Sequence, residues 1–218
     1  MESNIILTVY QLVVLLASVM VHEVSHGLMA LKLGDDTAKR FGRLTLNPIK
    51  HLDPVGSIFL PLILFLTHSS VVLGWAKPVP YNPDALYKDY KYGPLKVALA
   101  GPFSNLALAF FFGLIVRASG GFLSPVALGF LSFVVFLNCL LAVFNLIPIP
   151  PLDGSKILAA VLPRKYSAAL QNIGMGGIII VMLILFYASD VIWFPAVALF
   201  RLFVGLNGAE AFLSIFAG

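Results

Sequence analysis

Residues 5–31 read IILTVYQLVVLLASVMVHEVSHGLMAL. A helix needs roughly 20 predominantly apolar residues to cross the hydrocarbon core of a bilayer, and this stretch exceeds that length. The four residues before it include no lysine or arginine, and no small-residue cleavage site precedes His22. A secretory signal peptide would have a basic N-terminal region and such a cleavage site. We therefore predict a retained membrane-spanning helix that carries a polar group near its C-terminal end.

The composition of the whole chain supports the same class of protein. Of its 218 residues, 60% are hydrophobic and 11% are charged, whereas soluble domains are about 45–50% apolar and about 25% charged. The formal charge of +4 is modest and gives no reason to expect a nucleic-acid partner. The single cysteine, Cys139, excludes a disulfide framework and a multi-cysteine zinc site. We predict an all-α polytopic protein embedded in a lipid bilayer.

Hydropathy defines the predicted spans. Five stretches are long and apolar enough to cross the membrane, namely 5–31, 95–117, 125–147, 172–189 and 195–216. A sixth, 55–73, is interrupted by Pro61 and either spans or re-enters on the same side, so we predict five to six transmembrane helices. The alternation of Arg43, Leu44, Thr45 and Leu46 predicts a strand of a short β hairpin on the cytoplasmic side.

The positions of the basic residues distinguish two topologies. They cluster in the regions 32–50, 77–96 and 156–165. If 55–73 re-enters, all three regions face the cytoplasm, as the positive-inside rule requires, and the N-terminus lies outside. If 55–73 spans, the second and third regions fall on opposite sides. The re-entrant topology satisfies the rule better.

Two histidines on the first helix predict a metal site. His22 and His26 are four residues apart, so their imidazoles share a helix face and can reach one ion. Glu23 then points to the side where a water can sit, and this HExxH pattern is the ligand pair and general base of zinc peptidases. Polar residues that join helices are the alternative interpretation. That alternative explains the polarity of the residues, which is costly in an apolar helix, but not their spacing.

A hydrolytic zinc ion needs a third protein ligand. We interpret His51 and His68 as interfacial residues and favour Asp153, which follows the proline-rich end of the 125–147 helix. Taken alone, Asp153 is better interpreted as a turn or N-cap residue before Gly154 and the next helix. In the re-entrant topology, however, Asp153 reaches the same cytoplasmic level as the two histidines, whereas a full span at 55–73 would leave it on the opposite side.

Two motifs together resemble a known family. HEVSHG at 22–27 and NLIPIPPLDG at 145–154 resemble the site-2 proteases, which are intramembrane zinc metalloproteases. Three further segments resemble the compact bacterial or archaeal branch of that family, namely GRLTLNP at 42–48, GWAKPVP at 74–80 and AGPFSN at 100–105. The resemblance implies one integral-membrane metalloprotease domain over 1–218, with a catalytic core at about 5–165 and accessory helices at about 170–217. A PDZ or CBS domain has no room in this chain.

The resemblance also implies site residues and a function. It implies that Zn²⁺ is held by His22, His26 and Asp153, with Glu23 as the catalytic base and Asn145 binding the substrate. The implied function is hydrolysis of peptide bonds in or near transmembrane segments of protein or peptide substrates. The implied location is a bacterial or archaeal cell membrane, with the active site towards the cytoplasmic side.

Some functional alternatives remain open at this point. We hypothesise that an extended substrate pairs with the 43–46 strand; an interfacial hairpin that makes no substrate contact is the equal alternative. The whole chain could instead be a non-proteolytic zinc-binding membrane protein or a metal or proton transporter. Glu23 argues against pure binding, because a binding site needs no base. The small number of other intramembrane carboxylates argues against transport.

Overall fold

The computed structural model describes residues 2–51, 53, 77–119 and 121–216. The chain divides into two compact units, Met1–Gly93 and Pro94–Gly218. The first contains α1 (Glu2–Leu33) and α2 (Thr37–Arg40). The helices of the second are α3 (Gly93–Ala118), α4 (Pro125–Asn145), α5 (Asp153–Val161), α6 (Arg164–Ile173), α7 (Gly177–Tyr187) and α8 (Asp190–Phe216). Single 3-10 turns occupy Pro48–His51, Pro83–Ala85 and Gly174–Gly176.

Four of the described helices are long and apolar enough to cross a membrane. They are Ile5–Leu33 within α1, Gly93–Ala118, Pro125–Asn145 and Asp190–Phe216. Four of the five predicted spans are therefore confirmed as long apolar helices, and the predicted all-α class agrees with the described ranges, which contain no strand.

The predicted helix over 172–189 is wrong as a continuous element. The chain turns at Gly174, whose φ of +50° is in the left-handed region, where glycine has no steric penalty. The apolar helix that follows, α7, has 11 residues. That length corresponds to about 16 Å at 1.5 Å per residue, compared with a hydrocarbon core of about 30 Å.

The predicted strand at 43–46 is not confirmed, because residues 44 and 45 form a bend and residues 43 and 46 have no regular structure. Side-chain hydrogen bonds stabilise the bend: Thr45 Oγ1 accepts from the Asn47 N–H at 3.2 Å, and Asn47 Oδ1 accepts from the Ile49 N–H at 3.1 Å. Such local bonds compete with a β ladder. The predicted re-entrant segment 55–73 lies outside the described residues.

The second unit has an apolar core between α3, α4 and α8. Its buried members are Ala109, Val116, Val135, Phe136, Cys139, Phe200 and Val204. Gly113 lets α3 approach α8 closely, since a Cβ there would lie 3.0 Å from the Phe203 carbonyl oxygen. Small residues serve this purpose between membrane helices, where van der Waals packing drives association. Large apolar residues on the outer faces remain exposed, including Phe103, Phe110 and Phe111, as expected of a surface that faces lipid.

Candidate metal centre

The two histidines of α1 lie together, as their spacing predicts. Their side chains are buried, with 5% of His22 and 7% of His26 exposed. The Nε2 atoms are 3.1 Å apart, and the rings meet edge to face with centroids 4.7 Å apart. The helix thus presents two imidazole nitrogens to one point.

This separation suits ligands of one zinc ion. Zinc–imidazole bonds measure about 2.0–2.1 Å, so two nitrogens of a tetrahedral site lie about 3.3 Å apart. The observed 3.1 Å is close to that value. An imidazole pair with a carboxylate is also a donor set of catalytic zinc sites.

Glu23 is held by the main chain of a distant segment. Its Oε2 atom accepts a hydrogen bond from the Val79 N–H at 2.9 Å. Glu23 is half-buried, whereas the histidines on either side of it in the motif are buried. Its carboxylate therefore has a fixed partner beside the imidazole pair.

Asp153 is the first residue of α5, and its carboxylate is buried, with 4% of the residue exposed. The N-cap position is Leu152, which makes no side-chain cap bond, so Asp153 does not cap this helix. Lys156 Nζ donates to Asp153 Oδ1 at 2.8 Å. Gly154 packs against the carbonyl oxygens of Leu146 and Ile147 with no room for a Cβ, and this contact fixes the loop that leads to Asp153.

The three predicted ligands come from both compact units: His22 and His26 belong to the first, and Asp153 belongs to the second. The assignment of Asp153 as the third zinc ligand stays a prediction. His51 is buried elsewhere, with its Nε2 2.7 Å from the Thr45 carbonyl oxygen. His68 lies outside the described residues.

Asn145 is the last residue of α4, and its Nδ2 donates to the Leu141 carbonyl at 3.0 Å. Its amide oxygen is not used in this bond. The predicted role of Asn145 in substrate binding stays a prediction.

Sequence reasoning missed the residues that support α1. Gly27 lies against Leu44 and Val79, and Arg43 Nη2 donates to the carbonyls of Lys77 and Pro78 at 3.1 and 3.3 Å. Asp35, at 1% exposure, accepts from the Asn82 N–H at 2.6 Å. A glycine inside a long helix often has a packing reason, so Gly27 was the one signal available in the sequence.

Comparisons with known proteins give a family match and several similar chains. Residues 113–186 match the family described as Peptidase family M50. YwhC of Bacillus subtilis (strain 168), named as a zinc metalloprotease, is 41% identical over 194 residues, which make up 84% of each chain. Rip2 of Mycolicibacterium smegmatis, also named as a zinc metalloprotease, is 31% identical over 186 residues, or 82% of this chain and 67% of Rip2.

An archaeal protein is similar over a shorter range. MJ0611 of Methanocaldococcus jannaschii, again named as a zinc metalloprotease, is 42% identical over 79 residues, or 34% of this chain and 38% of MJ0611. No solved structure matches the chain. The extent of the first two similarities, together with the matched family, establishes that this chain belongs to peptidase family M50, the site-2 protease family that its motifs resemble.

Proposed function

We propose that this zinc metalloprotease hydrolyses peptide bonds in or near transmembrane segments of membrane proteins. We further propose that 1–218 acts as one integral-membrane domain, with its catalytic core at about 5–165 and accessory helices at about 170–217. The observation that carries the proposal is the pair of buried imidazoles 3.1 Å apart on an apolar helix, with Glu23 next to His22 in the chain.

Each residue of the site has a proposed role. His22, His26 and Asp153 hold zinc, leaving a coordination position for water, as catalytic zinc sites do. Asn145, at the end of α4, binds the substrate backbone through its amide. These roles are consistent with the donor set and with the burial of all three ligands.

The reaction depends on Glu23. Zinc, when bound, supplies a Lewis acid that lowers the pKa of a water and polarises a carbonyl. Glu23 accepts the proton of the attacking water at its carboxylate and donates it to the amine of the leaving strand, which is general base and then general acid catalysis. Because Val79 already donates to Oε2, we assign the proton transfer to Oε1.

The substrate class follows from the surroundings of the site. The proposed ligands His22 and His26 are on a helix long and apolar enough to span a bilayer, so substrates that lie in the membrane reach the site most directly. A helical substrate hides its carbonyls in i→i+4 hydrogen bonds and must unwind before attack. We propose a bacterial or archaeal cell membrane as the location, with the site towards the cytoplasmic side, where the positive-inside rule puts the basic regions.

The direct test uses the purified full chain in liposomes with a generic transmembrane peptide. Wild type is expected to cleave the peptide and bind about one zinc per chain. Glu23→Gln removes the base but no ligand, so it should retain zinc while cleavage falls by about 10²–10⁴-fold. Glu210→Gln, in α8, is the matched control and should cleave as wild type does.

The same preparations test the alternatives. A Glu23→Gln protein that cleaves at the wild-type rate contradicts the assigned base. A wild type that binds zinc but cleaves nothing supports a non-proteolytic zinc-binding protein. Movement of zinc or protons across the liposome membrane without cleavage supports a transporter.

A further inference from the structure

A segment without regular secondary structure, residues 77–82, contacts the HExxH part of α1 through Val79. Its Val79 residue is buried, with 6% exposed, and the Val79 N–H donates to Glu23 Oε2 at 2.9 Å. The two residues are 56 positions apart in the sequence. The contact is therefore a product of the tertiary structure of the first unit.

The segment is anchored on both sides of Val79. On one side, Arg43 Nη2 donates to the carbonyls of Lys77 and Pro78 at 3.1 and 3.3 Å. On the other, the buried Asp35 carboxylate accepts from the Asn82 N–H at 2.6 Å. Two charged side chains thus hold the segment in place. Hydrogen bonds to charged groups are stronger than those between neutral groups.

The sequence of the segment leaves Val79 as the one residue between two prolines that has a backbone N–H. Val79 lies between Pro78 and Pro80, and proline has no N–H and a fixed φ near −65°. Over these three residues, the Val79 N–H is the single backbone donor. It points to Glu23.

The absence of a side chain on Gly27 permits this approach. A Cβ on Gly27 would lie 2.8 Å from Val79 Cγ1 and 2.6 Å from Leu44 Cδ2. Any larger residue would push the segment away from α1. Gly27, Arg43 and Asp35 therefore all help to keep the Val79 N–H within hydrogen-bonding distance of Glu23.

A glutamate needs such support to act as a base. Its side chain has three rotatable bonds, and a catalytic group must be held within about 0.5 Å of its productive position. A hydrogen bond to one carboxylate oxygen restricts the rotamer and leaves the other oxygen to receive a proton. Outer-shell partners of this kind are worth about 10- to 100-fold in activity at metal sites.

We infer that the Val79 main-chain N–H is a positioning group for Glu23, presented by a 77–82 segment that Arg43 and Asp35 anchor. The inference rests on the proposed function only for the role of Glu23 as base. The contact itself is independent of zinc and of cleavage.

The contact is tested first by NMR of the metal-free full chain labelled with ¹⁵N-valine. The Val79 amide signal is assigned by its loss in Val79→Ala. In Glu23→Ala this amide should move upfield and exchange with deuterium about tenfold faster or more, because a hydrogen bond to a charged group contributes about 1.5–3 kcal/mol. Glu210→Ala should leave the signal in place. A Val79 signal unchanged by Glu23→Ala overturns the inference.

The consequence is tested by replacing Val79 with its α-hydroxy acid, which converts one amide to an ester and deletes only the N–H. We expect kcat to fall about 10- to 100-fold, with KM and zinc content unchanged. The same replacement at Val126, the second residue of α4, is the matched control, because N–H groups in the first turn have no intrahelical partner.

The outcomes separate this inference from the proposed function. An unchanged kcat in the Val79 ester, or a loss of zinc that matches the loss of cleavage, overturns the positioning role. A wild type that cleaves nothing contradicts the proposed function instead. The response of the Val79 amide signal to Glu23→Ala then still tests whether the hydrogen bond forms.

Discussion

Gly27 packs directly against Val79, so closely that a Cβ on the glycine would lie 2.8 Å from Val79 Cγ1. Gly27 follows His26 in the chain and precedes the last turn and a half of α1. The contact ties the helix that carries the two histidines to the segment that carries the Val79 N–H. The packing at Gly27 is therefore linked to the hydrogen bond that Glu23, the proposed base, accepts from Val79.

Gly27→Ala should weaken both stability and cleavage. The new methyl group would also lie 3.1 Å from Ala38 Cβ, so its neighbours must move, and overpacking of this kind costs about 1–3 kcal/mol. Unfolding in mixed micelles and cleavage of the transmembrane peptide are the measurements. Gly176→Ala is the control, because nothing lies within 4 Å of a Cβ at Gly176. Equal stability and activity of the two variants would contradict the close contact.

The amide pair between α3 and α4 should show energetic coupling. Asn105 Nδ2 donates to Asn138 Oδ1 at 2.9 Å, and both residues are fully buried. Interhelical polar pairs in membranes contribute about 0.6 kcal/mol on average and up to about 1.7 kcal/mol. A double-mutant cycle with Asn105→Ala and Asn138→Ala should give a coupling energy in that range.

A second cycle provides the control for this pair. Asn105→Ala combined with Ser119→Ala should be additive, because Ser119 directly follows α3 and a helical rise over 14 positions separates the two residues by about 21 Å. Additivity in the Asn105–Asn138 cycle would mean that their hydrogen bond contributes nothing to stability.

Arg117 should stabilise a break in α8. Gly205 has φ +72° and ψ −170° inside that helix, which interrupts its hydrogen bonds. Arg117 Nε donates to the Phe203 carbonyl at 2.9 Å, and Nη2 donates to the Leu202 carbonyl at 2.7 Å. Lysine has one nitrogen and cannot reproduce this planar pair, so Arg117→Lys should lower the free energy of unfolding by about 1–3 kcal/mol.

The matched control for Arg117 lies on α8 itself. Arg201 is exposed, so Arg201→Lys should change the midpoint of unfolding little. A midpoint for Arg117→Lys that equals that of Arg201→Lys would contradict the role assigned to the Arg117 guanidinium.

Hydropathy predicted the long helices because each of them must present apolar side chains to lipid along its whole length. It failed at 172–189, where the residues are apolar but Gly174 adopts positive φ and ends the helix. The alternation of residues at 43–46 predicted a strand that is not observed. Alternation does not reveal that the Arg43 side chain binds the carbonyls of Lys77 and Pro78.

The site was predictable to a different degree in each of its parts. The spacing of His22 and His26 fixes their common helix face, so their proximity follows from local geometry. The choice of Asp153 rests on a second motif and an argument about topology, because an isolated aspartate before Gly154 is more typical of a helix cap, and its role as a ligand stays a prediction. The bond from Val79 to Glu23 had no signal in the sequence, since a main-chain donor is the same in every residue type except proline.

The most direct test of the central claim, that two imidazoles and a carboxylate hold one zinc, is zinc K-edge X-ray absorption of the purified full chain. The account predicts a first shell of nitrogen and oxygen at about 2.0–2.2 Å, with no sulfur at about 2.3 Å. Outer-shell scattering should correspond to two imidazoles and should drop by half in His26→Ala. A sulfur shell, which would implicate Cys139, or a spectrum with no imidazole scattering would contradict the claim.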